Sequence, residues 1–189
     1  LPFRVGSRES NGGVQGARVF VGENYSDAAP QDSSMHGGGY LIRGVRPGAA
    51  TVTVHASGYA PELKEIEVRA GTETTLDVAL AAGSVIEGVV RDDTGTAVPG
   101  AEIIATAWRS KGTLGLRAMT DARGEFRMGN APSDAFEVMV DSPGRPPHTQ
   151  TLQAGKGVVV VTVPAGASGA RRTGVLAVGD ASPAVTVTT

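Results

Sequence analysis

The chain has 189 residues, 40% of them hydrophobic, with 27 glycines, 11 prolines and a net charge of −2 from 17 basic and 19 acidic side chains. That scattered balance lacks the basic stripe with which a protein displaces phosphate counterions, which excludes nucleic acid as the main partner. No apolar run approaches the ~20 residues of a membrane-spanning helix, and the absence of cysteine excludes disulfide staples and thiolate metal sites.

Frequent glycine and proline favour many short segments over long helices. The apolar residues are mostly valine and alanine, and valine suits a pleated, half-buried surface. In chain order, Phe3 and Val5, Val19 and Val21, Tyr40 and Ile42, Val52 and Val54, Ile66 and Val68, and Leu76, Val78 and Leu80 alternate with polar or small residues. Further on, Val85 and Val89, Ile103 and Ala105, Phe126 and Met128, Phe136, Val138 and Val140, and Val159, Val161 and Val163 do the same. A period of two means one buried and one wet face, as in an antiparallel sandwich. Turn signals punctuate these runs at Asn11-Gly12-Gly13, Pro47-Gly48, Ser57-Gly58, Asp93-Thr94-Gly95, Pro143-Gly144 and Ala154-Gly155. Short strands with turns at such intervals predict an all-β sandwich and no helix.

The pattern occurs twice. Gly12 to Val19 matches Gly95 to Ile103 with one inserted residue, Gly38 to Ile42 matches Gly124 to Met128, and Val52 to Pro61 matches Val138 to Pro147. Arg69-Ala70-Gly71 matches Gln153-Ala154-Gly155 ahead of the last strand of each unit. The spacing is 83 residues from Gly12 to Gly95, 86 from Gly38 to Gly124 and 84 from Arg69 to Gln153. Four ordered matches at nearly constant spacing identify a tandem repeat. The expected domains are 1–82 and 83–165. Residues 166–189 are then a linker, Gly166 to Ala170, and one or two further strands, Gly174 to Val178 and Ala184 to Thr188, which either open a third repeat or pair with a neighbouring edge.

The second unit carries Asp92, Gly95, Val98-Pro99-Gly100-Ala101, Thr120-Asp121, Gly124, Phe126 and Gly144. This order resembles the carboxypeptidase regulatory-like domain, and the resemblance implies a seven-stranded, transthyretin-like Greek-key sandwich of the Ig-like group. The first unit keeps Val14, Gly16-Ala17, Gly38, Tyr40, Pro47-Gly48 and Gly58-Tyr59, but has Gln15 for the family proline and Ser34-Met35 for Thr-Asp. Domains of this kind accompany peptidases, adhesins and outer-membrane receptors as scaffolds. The motifs define turns and core positions, so they speak to fold rather than to activity.

Catalytic chemistry finds little foothold. His36, His55 and His148 stand apart from paired acids in sequence, and no nucleophile elbow is present. Asp92-Asp93-Thr94-Gly95 and Asp121 to Glu125 lack the ladder of oxygen ligands of an EF-hand. They read as Asx-turns, a weak calcium site staying open as the alternative. No other cofactor is expected. The Lys–Asn isopeptide staple of collagen-adhesin B-type repeats needs a lysine on an early strand, and Lys64, Lys111 and Lys156 are all elsewhere.

The candidate ligand-binding residues are Tyr25, Trp108, Arg109 and Arg117. Exposed rings at Tyr25, Tyr59 or Trp108 would stack on sugars; the competing reading packs them against loops. The segment Glu23 to Gly37 is acidic (Glu23, Asp27, Asp32), and its counterpart Arg109 to Arg117 is basic (Arg109, Lys111, Arg117). Opposite signs on equivalent loops suggest head-to-tail contact between copies. The first reading is therefore a non-enzymatic stalk or scaffold of an exported bacterial surface protein, found extracellularly, on the cell surface or in the periplasm. It would contact protein partners or itself through sheet edges or the tail. The alternatives are a carbohydrate- or peptide-binding module, or an accessory domain of a larger enzyme such as a peptidase. The chain begins at Leu1 without a signal-peptide pattern and reads as a processed or excised fragment.

Overall fold

A computed structural model describes residues 2–7, 13–25, 34–35, 39–155 and 157–166. The side chains of Phe3 and Val5, the turn residues Asn11 and Gly12, His36, Lys156 and the proposed tail strands lie outside the described residues. Strands β1 (Pro2–Ser7), β2 (Arg18–Val21), β3 (Ser34–Met35), β4 (Gly39–Leu41), β5 (Gly48–His55), β6 (Glu62–Val68) and β7 (Leu76–Leu80) build the first repeat. The second follows with β8 (Ser84–Asp92), β9 (Glu102–Ala107), β10 (Arg117–Met119), β11 (Glu125–Ala131), β12 (Phe136–Asp141), β13 (His148–Leu152) and β14 (Val159–Val163). Each described repeat has seven strands and no helix, so both are all-β sandwiches.

In the first repeat the sheets run β3-β4-β1-β7 and β2-β5-β6; in the second, β11-β8-β14 and β10-β9-β12-β13. The third strand of each repeat therefore attaches to opposite sheets: β3 pairs with β4, whereas β10 pairs with β9. All other neighbours are the same in the two copies. The first and last strands of each repeat pair in parallel, β1 with β7 and β8 with β14. Two parallel strands start at the same end, so the chain enters each sandwich at one end and leaves at the other.

Inward alternation fills two cores. Val19, Tyr40, Val52, Val54, Val78 and Leu80 fill the first, and Ile86, Val90, Ile103, Phe126, Phe136 and Val161 are prominent in the second. On β8 the face differs from the sequence reading. Val85 is 42% exposed while Ile86 and Val90 are buried, so the inward set is Ile86, Gly88 and Val90 rather than Val85 and Val89. The doublets Val85-Ile86 and Val89-Val90 fit either phase of a period-two pattern, and Gly88 decides it. A Cβ there would lie 2.5 Å from the Phe126 ring, so only glycine lets that ring cross the strand.

Candidate functional site

The inner face of the β2-β5-β6 sheet closes the first core. Its outer face carries a row set by strand register: Phe20 beside Thr53, and Thr53 beside Leu63. On an isolated repeat these side chains would face water. They are instead buried at 2%, 0% and 8% exposure, and Leu63 belongs to the apolar core of the second repeat, together with Trp108 and Leu114. Leu63 is covered by the β9–β10 loop, Trp108 to Leu116, which folds back onto the first repeat, and Phe20 by Tyr25, which that loop holds through Gly112.

This loop begins with a two-residue hairpin turn. Trp108 and Lys111 exchange backbone hydrogen bonds of 2.8 and 3.0 Å, and the central residues Arg109 and Ser110 have φ of 49° and 63°. Positive φ at both central positions is the signature of a type I′ turn, usually built with Asn-Gly. Beyond it, Gly112 donates to the Glu23 carbonyl and accepts from the Tyr25 amide, forming a parallel bridge with Asn24. A Cβ on Gly112 would lie 2.7 Å from Asn24 Oδ1, so a side chain there would displace the Asn24 carboxamide.

Ion pairs surround the contact. Arg109 lies over the Trp108 ring, 4.5 Å from its centroid, donates from Nε to Asp134 at 2.9 Å and from an Nη to Glu62 at 3.1 Å. Burial alone would lower the Arg109 pKa, but its bonds to Asp134 and Glu62 outweigh this and hold it above the usual value. Likewise burial would raise the Asp134 pKa, and the bond from Arg109 brings it below the usual value instead. Lys111 donates to Glu23 at 2.6 Å and lies 3.7 Å from Glu65; the Glu23 bond raises its pKa. For Glu23 and Lys111 the opposite signs of the two loops are thus matched within one chain. Asp27 and Asp32 lie outside the described residues.

His55 sits beneath the loop. Its Nε2–H donates to the Thr113 carbonyl at 3.1 Å, and its ring packs edge-on to Phe20 and Tyr25 at 5.0 and 5.8 Å. Burial lowers its pKa to about 4; the Thr113 bond works against that and the Arg18 charge adds to it. The junction is fixed from the other side by Asn130, which accepts from the Gly58 amide at 3.2 Å. Asn130 reaches this position through an irregularity in β11 between Met128 and Ala131, with its own φ at 56°. Gly83 packs there so closely that a Cβ would meet Asn130 Cα at 2.8 Å.

Tyr25, Trp108 and Arg109 therefore meet at the contact between the repeats. Trp108 is 1% exposed and donates from its indole to Asp134 at 3.0 Å, so its faces are enclosed by protein. Tyr25 packs against Phe20 at 4.8 Å between ring centroids. Arg117 stands apart on the outer face of β10, paired with Glu102 at 3.1 Å. Sequence reasoning missed Thr53, His55, Glu62, Leu63 and Asn130. One signal was available: Leu63 is an apolar residue out of phase with Ile66 and Val68 on the same strand.

The two acidic turns form Asx-turns. Asp92 Oδ1 accepts from the Thr94 amide, the Thr94 hydroxyl and the Thr96 amide, while Oδ2 accepts from Arg145. The Thr94 hydroxyl bond is the main cause of its lowered pKa. Asp121 Oδ1 accepts from the amides of Arg123 and Glu125. Among the described residues no cluster of three or more histidine or acidic side chains could hold a metal ion. A cleft of about 1120 Å³ beside the contact is lined by Glu23, Arg43, Arg46, Glu65 and Lys111 among others, charges of both signs.

The sequence profile of the carboxypeptidase regulatory-like domain matches residues 4–81 and again 85–165. The chain belongs to that family. It carries two copies of the domain in tandem, and the site just described is the contact between them. Among solved structures the chain is similar to the Bacillus anthracis TIE protein, at 18% identity over 86% of this chain and 33% of that one, with a TM-score of 0.37. A streptococcal ancillary pilin matches at 13% identity over 86% of this chain and 61% of that one, TM-score 0.39. The shaft pilin SpaA from Lactobacillus rhamnosus GG matches at 11% identity over 87% and 97%, TM-score 0.35. The chain spans a third of the first of these and about three fifths of the second. No curated protein matches it. No helix is long and apolar enough to cross a membrane among the described residues.

Proposed function

We propose that this pair of carboxypeptidase regulatory-like domains is a non-enzymatic scaffold, a semi-rigid segment of an exported bacterial surface protein that spaces or presents other parts. One observation carries the reading: the long β9–β10 loop is spent on holding the two repeats together. Loops on a rigid sandwich are its usual recognition surfaces. Here Trp108, Arg109, Lys111 and Gly112 all have partners inside the chain. Entry and exit at opposite ends of each sandwich suit propagation from unit to unit.

Amide nitrogen relaxation tests it. A scaffold of this kind gives both repeats one rotational correlation time and one diffusion tensor. Independent tumbling of residues 13–80 and 84–163 would remove the reading.

A second reading rests on β14, an edge strand with Val160 exposed at 56% and Val158, just before it, at 68%. Such an edge captures an extended strand through main-chain hydrogen bonds. Sedimentation velocity on the full chain and on a version ending at Ala165 tests capture of the tail from a neighbour. Assembly of the full chain alone supports it, and monomers in both cases oppose it.

A further inference from the structure

The docking face of the first repeat has an equivalent in the second. Strand register equates the row Phe20–Thr53–Leu63 with Ile104–Met139–Thr149, since Met139 lies beside Ile104 on β9 and beside Thr149 on β13. The first row is almost wholly buried: Leu63 lies in the core of the following repeat, and Phe20 packs against Tyr25 and His55, to which that repeat's loop is bonded. In the second, Ile104 and Met139 are only partly buried and Thr149 is exposed.

The exit from the second repeat also follows that from the first. After β7 the chain runs over the turn at Gly58, and Gly83 donates to the Gly58 carbonyl at 2.9 Å. Gly166 is placed the same number of residues beyond β14 as Gly83 is beyond β7. A Cβ on Gly166 would lie 3.1 Å from the Gly144 carbonyl, and Gly144 corresponds to Gly58. The chain thus leaves the second repeat towards the position that a further unit would occupy.

We propose that the outer face of β9, β12 and β13, centred on Ile104 and Met139, is the docking surface for the loop between the second and third strands of a following unit of this same fold. The proposal rests on the scaffold reading and extends it from two units to an array. The loop that covers the first row brings Arg109 and Lys111 to Glu62, Glu65 and Glu23. On the second face Glu137 and Asp141 flank Met139 on β12 and are exposed, while Arg117, beside Ile104, has its charge matched by Glu102. An apolar centre edged by carboxylates fits a loop with an apolar contact residue and a cationic turn, the chemistry of Trp108 to Leu116. Repeat arrays bury one continuous surface in this way, each unit covering a face of the one before.

The chain has no cysteine, so single cysteines report burial directly. Met139→Cys and, as a second reporter, Ile104→Cys are compared with Thr53→Cys (covered) and Met119→Cys (67% exposed in the native side chain). Each is made in the 189-residue chain and in a chain carrying a second copy of residues 84–165 directly after Gly166. Thiol labelling at 139 and 104 is expected to fall between the Met119→Cys and Thr53→Cys rates in the first, and to be at least tenfold slower, towards the Thr53→Cys rate, in the second. Equal rates in both chains overturn the proposal while leaving the scaffold reading to its relaxation test. Concentration-dependent protection in the 189-residue chain would make a second copy the occupant, and faster labelling on deletion of residues 167–189 would make it the tail. Either result overturns the assignment to a following unit.

Discussion

Tyr40 in the first repeat and Thr120 in the second make the same two hydrogen bonds from different strand positions. The Tyr40 hydroxyl accepts from the Ala17 amide at 2.8 Å and donates to the Val14 carbonyl at 2.9 Å. Thr120 Oγ1 accepts from the Ala101 amide and donates to the Val98 carbonyl, both at 2.8 Å. Ala17 and Val14 correspond to Ala101 and Val98, so one buried turn is satisfied twice by different chemistry. The Ser34 that stands in the first repeat for the family threonine is accompanied by a tyrosine where the second repeat has Phe126.

Removing either hydroxyl strands a buried amide and a buried carbonyl. Tyr40→Phe and Thr120→Val are each expected to destabilise their repeat by about 1–3 kcal/mol, the usual cost of unsatisfied buried polar groups. Urea denaturation followed by a probe in each repeat checks this; a loss under about 0.5 kcal/mol, typical of a surface substitution, would show that water takes over the two groups.

Acid is expected to loosen the contact between repeats through His55. Its folded pKa of about 4 lies below the ordinary 6.5, so the folded protein resists a proton that the unfolded chain accepts. Above pH 6.5 both states are neutral and His55 costs nothing. From 6.5 down to 4 stability falls, by up to about 3 kcal/mol in total, because each tenfold difference in proton affinity between the two states is worth about 1.4 kcal/mol. Asp134 and Asp92, whose pKa values are lowered, act only below the ordinary carboxylate range. Thermal melts of the parent and of His55→Gln between pH 7 and pH 4 separate them, the variant losing the decline above pH 4.5.

The hairpin turn of the clamp carries strain. Ser110 has a φ of 63°, which costs an L-residue on the order of 1 kcal/mol and costs glycine nothing. Ser110→Gly is therefore expected to raise the midpoint of thermal unfolding, offset in part by the added freedom of the unfolded chain. A lowered midpoint would mean that the serine makes a contact worth more than the strain.

Gly83→Ala should act in the opposite sense. The added methyl meets Asn130 Cα at 2.8 Å and the Tyr59 carbonyl carbon at 3.0 Å, backbone atoms on both sides of the junction. Overpacking of this kind costs roughly 1–3 kcal/mol. Because the clash lies between the repeats, hydrogen exchange should accelerate at the Gly58 amide before it does in either core. Uniform acceleration throughout would place the damage elsewhere.

The strands were largely legible because alternation and turn glycines are local signals. Val52-Thr53-Val54 and Phe136-Glu137-Val138 each write an inner and an outer face into three residues. Strands β3 and β10 were not legible: two or three residues carry no period, and nothing local says which sheet they join. The candidate site was half legible. Trp108, Arg109 and Tyr25 attracted attention as aromatic and charged residues in long loops, but what they touch depends on how one repeat meets the other. Leu63 and Phe20, which decide that meeting, resembled ordinary strand residues beside the core positions Val19 and Ile66. Arg117 shared the charge of its neighbours and none of their contacts, because the chain turns into β10 just before it.

The parallel pairing of first and last strands has a mechanical consequence. Tension applied along the chain draws β8 and β14 in opposite directions along their common axis, because one is pulled from its start and the other from its end. The rungs over the five paired positions of that ladder, and of the β1·β7 ladder, then bear the load together in shear instead of opening one after another like a zip. Each sandwich is braced along the line on which a tandem chain is stretched.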